Sequence, residues 1–192
     1  MPLTIDTVAA LLKNETAAQH QEAEDVLQAY LASVDSTEKY AALLRAFYSY
    51  FHPLQEVIAT YISTAILHDM DQRRTAASIL DDLRFLNAPL PFTLCNKLPS
   101  IRSREAAFGA LYVMEGSTLG GRVIAKMMLK KMPHLEAGGL SFFSGYGEQT
   151  GARWKYFLEV LNSQEGSDAM VAAADETFAM LTAWLQHNLV HE

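Results

Sequence analysis

Tyr40, Leu43, Leu44, Phe47, Tyr48 and Phe51 recur at intervals of three and four residues. That period lines large side chains along one face of an α-helix and is incompatible with the two-residue period of a half-buried strand. The same signature returns in Val8, Leu11 and Leu12, in Leu27 and Leu31, and through a long stretch between Ser103 and Lys131. No sustained run of alternating polar and apolar residues competes with it. The chain is therefore expected to be all-α, with roughly six to eight helices around one core.

Caps and breakers place the boundaries. Asp6 or Thr7 can cap a first helix running to about Ser33. Ser36 or Thr37 can open a second, in which His52-Pro53 should cause a bend or brief interruption before helix resumes to Tyr61. A third is expected from Gln72 to Leu86, ended by Asn87, Pro89 and Pro91. Ser100 or Ser103 opens the long segment to Lys131, and Gly138 to Gly147 reads as a loop. Two further helices are expected near Glu148 to Leu161 and Ser167 to Leu189. With no repeat or linker in sight, residues 1–192 read as a single domain.

A chain of 192 residues buries enough surface to fold without disulfides or a structural metal. Cys95 is the one cysteine, so no internal disulfide forms and a reducing compartment fits. The start lacks a basic region followed by a long apolar run, and the apolar stretch from Tyr61 to Leu67 is too short to cross a bilayer. A cytoplasmic protein without membrane insertion is the simplest expectation. The formal charge of −7 argues against nonspecific nucleic-acid binding, which needs many cationic phosphate contacts. A few well-placed cations can still bind a small anion.

The segment from Leu111 to Ile124 contains Gly116, Gly120 and Gly121. Each glycine inside a helix costs about 1 kcal/mol relative to alanine, so such density needs a reason. Helix-on-helix packing is one, and Gly109, seven residues before Gly116, extends the same face. A flat ligand lying against bare backbone is another, and a helix break is a third. The spacing does not match a dinucleotide or phosphate loop, and Ser117 lacks the surroundings of a hydrolase nucleophile.

His20 in the first helix is equally open to two readings. A solitary helical histidine is commonly a surface or core-edge residue, yet a neutral imidazole can also ligate iron. Lys13, two turns earlier, can reach an anionic rim of a ligand held there, and Arg153 is a second candidate. His52, His68, His134, His187 and His191 form no recognisable metal spacing.

In order along the chain, Thr16 to Glu24 around His20 and Tyr112 to Ile124 around the glycines resemble the haem oxygenase family, notably bacterial members that supply bilin to phytochromes. Weaker similarity extends through Tyr50 to Leu54, Leu80 to Leu86 and Thr177 to Leu185. The resemblance implies an all-α fold with haem between a proximal helix carrying His20 as axial iron ligand and a distal helix whose Gly116 and Gly120 let haem approach the backbone. It further implies Lys13, with Arg153, as propionate partners. Ser117 stands where many members carry a distal aspartate, as it does in phytochrome-associated members, and would orient distal water.

The implied reaction opens haem at a meso carbon to give biliverdin, carbon monoxide and ferrous iron. Haem is then both substrate and cofactor, molecular oxygen is co-substrate, and electrons come from outside, from a ferredoxin or a flavin-dependent reductase, since no flavin or nicotinamide motif is evident. A bacteriophytochrome would be a recipient of the product. The alternatives are haem binding or transfer without turnover and, more remotely, a helical interaction domain.

Overall fold

The computed structural model describes residues 7–91 and 93–189; Asp6, named above as a cap, and His191 lie outside them. Eight α-helices follow one another: α1 (Val8–Glu15), α2 (Ala17–Ser33), α3 (Thr37–Ala59), α4 (Ala77–Phe85), α5 (Arg104–Lys131), α6 (Ser141–Ser144), α7 (Thr150–Asn162) and α8 (Asp168–Leu189). Short 3-10 turns lie at Met70–Gln72, Pro133–Ala137 and Gly147–Gln149, and the described residues contain no strand.

Several starts follow from side-chain capping. Thr7 accepts the Ala10 amide at 3.2 Å, Ser36 the Lys39 amide at 3.3 Å, and Ser103 the Ala106 amide at 3.2 Å. Each hydroxyl satisfies a first-turn amide that has no intrahelical acceptor.

The expected first helix is in fact two. Thr16 is buried, and both its amide (3.0 Å) and its hydroxyl (2.8 Å) donate to the Leu12 carbonyl. A threonine turning back on its own helix in this way bends the chain, so Lys13 and His20 occupy different helices.

Pro53 does not interrupt α3, which runs unbroken from Thr37 to Ala59. Lacking an amide hydrogen, the proline leaves the Ser49 carbonyl without its helical donor. The Cys95 amide fills that position at 2.8 Å. The helix expected from Gln72 begins only at Ala77, because Arg73 is extended and aimed into the interior. The glycine-rich loop contains α6, whose first amides, Ser141 and Phe142, donate to the Asp82 carboxylate at 2.8 and 2.9 Å.

α8 is the spine, packing against α5, α2, α3 and α1. Tyr50, Phe51, Phe108, Phe143 and Phe157 fill the interior. Buried polar tips find partners: the Tyr50 hydroxyl donates to Thr177 O at 2.9 Å, and Tyr40 donates to Gly139 O at 2.7 Å. α2 and α5 both pack extensively on α8 and touch each other little. α8 is thus the support that α2 and α5 share.

Candidate functional site

His20 lies one turn into α2. Its side chain is 54% exposed, with Nε2 3.4 Å from Glu24 Oε1. The ring rests against Phe178 of α8, with centroids 5.2 Å apart. The Glu24 contact is long and solvent-facing, so it contributes little and leaves the imidazole able to take another ligand. Lys13 lies exposed in the last turn of α1.

The glycines of α5 divide into two groups. A Cβ on Gly109 would collide with the Met170 carbonyl oxygen of α8, and one on Gly121 would come 2.8 Å from Phe143 O of α6. These two permit close backbone packing. A Cβ on Gly120 would meet nothing within 4 Å. Around it, Leu119 and Val123 are 42% and 63% exposed, unusual for large apolar side chains of a well-packed helix. Gly116 sits between these cases: the Trp154 indole of α7 would lie 3.6 Å from its Cβ. Trp154 also packs on Tyr112, with centroids 5.7 Å apart.

Behind this bare strip lies an ionic network that no local sequence signal marks. Arg73 donates to Glu115 Oε2 at 2.6 Å and to Asp69 Oδ1 at 3.0 Å, with both members of the Arg73–Glu115 pair almost wholly buried. Burial alone would depress the Arg73 pKa, but Glu115 and Asp69 outweigh it and hold it above its ordinary value. The Tyr146 hydroxyl donates to Glu115 Oε1 at 3.0 Å and accepts the Arg74 amide at 2.9 Å. Burial, then the neighbouring Glu115 charge, pushes the Tyr146 phenol well above its usual range.

Arg74 joins this network to the distal strip. Its Nη2 donates to Ser117 Oγ at 2.7 Å and to Met114 O at 3.0 Å, while its guanidinium lies 4.2 Å from the Phe142 ring centroid. Desolvation pulls Arg74 down to about 10. Ser117 in turn donates to Met114 O at 2.6 Å. A hydroxyl has one donor and two acceptor positions, so in this arrangement Ser117 has one acceptor position left and no donor to offer.

Arg153, expected at an anionic rim, is instead paired inward. Its Nη1 donates to Asp69 Oδ2 at 2.7 Å and its Nη2 to Gln72 Oε1 at 3.1 Å. Asp69 thereby accepts from both Arg73 and Arg153, which ties α7 to the turn before α4. A propionate at Arg153 would have to compete with a partner already in place.

Residues 91–187 match the family model for heme oxygenase, a span that contains the glycine-bearing helix and excludes His20. The chain is 33% identical over 146 residues to a heme oxygenase of Xanthomonas campestris pv. campestris, covering 74% of this chain and 86% of that protein. The NO- and CO-bound heme oxygenase of Neisseria meningitidis is similar in structure, with a TM-score of 0.76, 25% identity, and coverage of 96% of this chain and 92% of the other. Heme oxygenase from Leptospira interrogans shares the fold at a TM-score of 0.72 and 17% identity, over 94% of this chain and 99% of that one.

Proposed function

The chain belongs to the haem oxygenase family, and from that premise we propose that it binds haem between α2 and α5 and opens the ring to biliverdin, carbon monoxide and ferrous iron. One observation supports this reading: Gly120 presents bare backbone, with no atom beyond its own helix turn within 4 Å of its missing Cβ, on a helix that packs on α8 as α2 does. A flat macrocycle needs such a surface, because any side chain there would hold it away.

The residues present suit haem, which as substrate brings both the oxygen-activating iron and the carbon skeleton to be cut. His20 would hold the iron through its imidazole, whose ring is packed against Phe178. A neutral imidazole ligand supports oxygen binding without the strong electron push of a thiolate. Gly116 and Gly120 let the opposite face of the ring reach α5, with Trp154 as an aromatic wall beside Gly116. Ser117 accepts a hydrogen bond from distal water through its remaining acceptor position and so orients that water, while Arg74 and Met114 hold the hydroxyl still.

Lys13 pairs with a propionate and helps select which meso carbon faces oxygen. Arg153, committed to Asp69, acts at that edge chiefly by fixing α7 and with it Trp154. Residues 1–192 work as one domain.

Oxygen is the co-substrate, and the electrons come from a separate ferredoxin or flavin-dependent reductase. The stretch of α5 from Gly116 to Lys131 contains no acidic residue, and its Arg122 and Lys126 are exposed on a chain whose net charge is −7. A local cation patch of this kind steers an acidic partner. A cytoplasmic setting, with a bacteriophytochrome accepting biliverdin, fits the same reading. Among the described residues no helix is long and apolar enough to cross a membrane.

The test is anaerobic reconstitution with haem, followed by controlled reduction, oxygen addition and identification of products. Biliverdin with carbon monoxide is expected. Haem that is reduced efficiently yet survives oxygen intact would replace this reading with haem binding or transfer. His20→Ala should abolish the native axial-ligand spectrum, and an unaltered ferric spectrum would remove His20 from its role.

A further inference from the structure

The carbonyls at the C-terminal end of α2 have no basic residue in their own last turn to meet them. The last four carbonyls of an α-helix lack intrahelical donors, and together they carry the negative pole of the helix dipole. Here most of the donors come from other helices. Lys131, the last residue of α5, places Nζ 2.7 Å from Leu31 O, 3.1 Å from Ala32 O and 2.9 Å from Val34 O. An ammonium has three hydrogens, and all three are used. Lys39 of α3 takes Ser33 O at 3.1 Å, and the Ser33 hydroxyl takes Tyr30 O at 2.7 Å. Every carbonyl from Tyr30 to Val34 thus has a donor.

This junction is where α2 and α5 meet, since elsewhere each is held chiefly on α8. Eleven residues separate His20 from Leu31, and eleven separate Gly120 from Lys131. At about 1.5 Å of rise per residue, each arm is roughly 16 Å long. Lys131 joins the two arms at their C-terminal ends, a vertex from which the candidate haem walls lie equally far back along each helix. Tilting one arm by about 5° at that vertex would move its wall by roughly 1.5 Å, close to the whole tolerance of a ligand packed at van der Waals distance.

We propose that Lys131 is a positioning residue, a clasp that fixes the separation of the His20-bearing and glycine-bearing helices and thereby how tightly haem is held between them. The functional half rests on the haem reading above; the structural half does not.

The two halves are tested separately. Nitroxide labels at Glu22→Cys on α2 and Arg122→Cys on α5, in a Cys95→Ala background, report the arm separation in the haem-free chain. Lys131→Met should broaden and lengthen the distance distribution, Lys131→Gln, which keeps a donor, should fall between, and Lys130→Met, which removes the same charge from the neighbouring position, should match the parent. In the unlabelled proteins, transfer of haem to apomyoglobin should be about ten-fold faster for Lys131→Met and unchanged for Lys130→Met. Helical content measured by circular dichroism confirms that the variants are folded, and Lys131→Gln carries the comparison should Lys131→Met unfold. Superimposable distance distributions for the Lys131 variants and the parent would overturn the clasp. A widened distribution with an unaltered haem release rate would overturn its hold on haem. A parent chain that takes up no haem would defeat the functional reading and leave the distances to decide the clasp.

Discussion

Alanine placed at Gly109 and at Gly120 should shift stability in opposite directions, although both positions lie inside α5. Alanine is the better helix former by up to about 1 kcal/mol, and at Gly120 nothing lies within 4 Å to oppose it. The haem-free Gly120→Ala protein should therefore gain about 0.5–1 kcal/mol. For a chain of 192 residues that corresponds to a rise of about 1–4 °C in Tm. At Gly109 the new methyl would strike the Met170 carbonyl and crowd the Ala174 amide at 3.1 Å. Both are main-chain atoms of α8 that cannot rotate away, and the α5–α8 packing is the broadest in the fold. Overpacking costs about 1–3 kcal/mol, and with backbone on both sides the upper end applies. Subtracting the propensity gain leaves a net loss of about 2 kcal/mol, or about 4–8 °C in Tm. Thermal and urea melts of the haem-free proteins, followed by circular dichroism, read both values. A Gly109→Ala protein as stable as the parent, or a Gly120→Ala protein less stable, would refute this division of the glycines. Haem should invert the Gly120 result, because the methyl that helps the empty helix occupies the surface the macrocycle needs.

Tyr146→Phe removes the hydroxyl that donates to buried Glu115 and accepts the Arg74 amide. Urea unfolding should show a loss of about 1–3 kcal/mol, and a loss under 0.5 kcal/mol would mean water replaces the phenol at no cost. Asp82 should leave a signature in the pH dependence of stability. Burial raises its pKa above 3.8, with the Ser141 and Phe142 amides partly opposing the rise. The native state then binds this proton more readily than the unfolded one, so the group's contribution is greatest below 3.8 and declines as pH rises through the raised value. The stability of the parent relative to Asp82→Asn should fall across that interval in urea melts, and a relative stability that climbs instead would reverse the assigned shift.

What could be read from the chain was whatever is decided within a few residues. Ser103 caps α5 and Lys131 ends it because one capping hydroxyl and one uninterrupted apolar period suffice. His20 and Gly120 were legible as unusual residues for their positions, the first by its chemistry and the second by its cost to a helix. The break at Thr16 was not, since threonine is tolerated inside helices and turns back only where burial deprives its hydroxyl of water. Arg73 and Arg74 carry no local mark that sets them apart within the helix expected from Gln72 to Leu86. Their real conformation is set by Glu115, 42 residues away, and by Ser117, 43 residues away. Arg153 was assigned outward for the same reason, its partner Asp69 lying 84 residues off. The α6 helix was hidden in a glycine-rich stretch because its first amides rest on Asp82, 59 and 60 residues earlier. Nor can spacing along one helix say which glycine faces a neighbour and which faces empty space; that depends on where α6, α7 and α8 come to rest.

The oxygen of Ser49 illustrates how an imperfection in one element can organise another. An unmodified helix interior is inert toward its surroundings, every main-chain group being answered from within. Pro53 makes a single gap in that self-sufficiency, and the irregular stretch that includes Cys95 plugs into it. Alanine at position 53 would mend the helix and at the same time put a second claimant on the same oxygen. The proline therefore serves as a mooring point, letting a segment with no regular structure of its own be tied to the middle of α3.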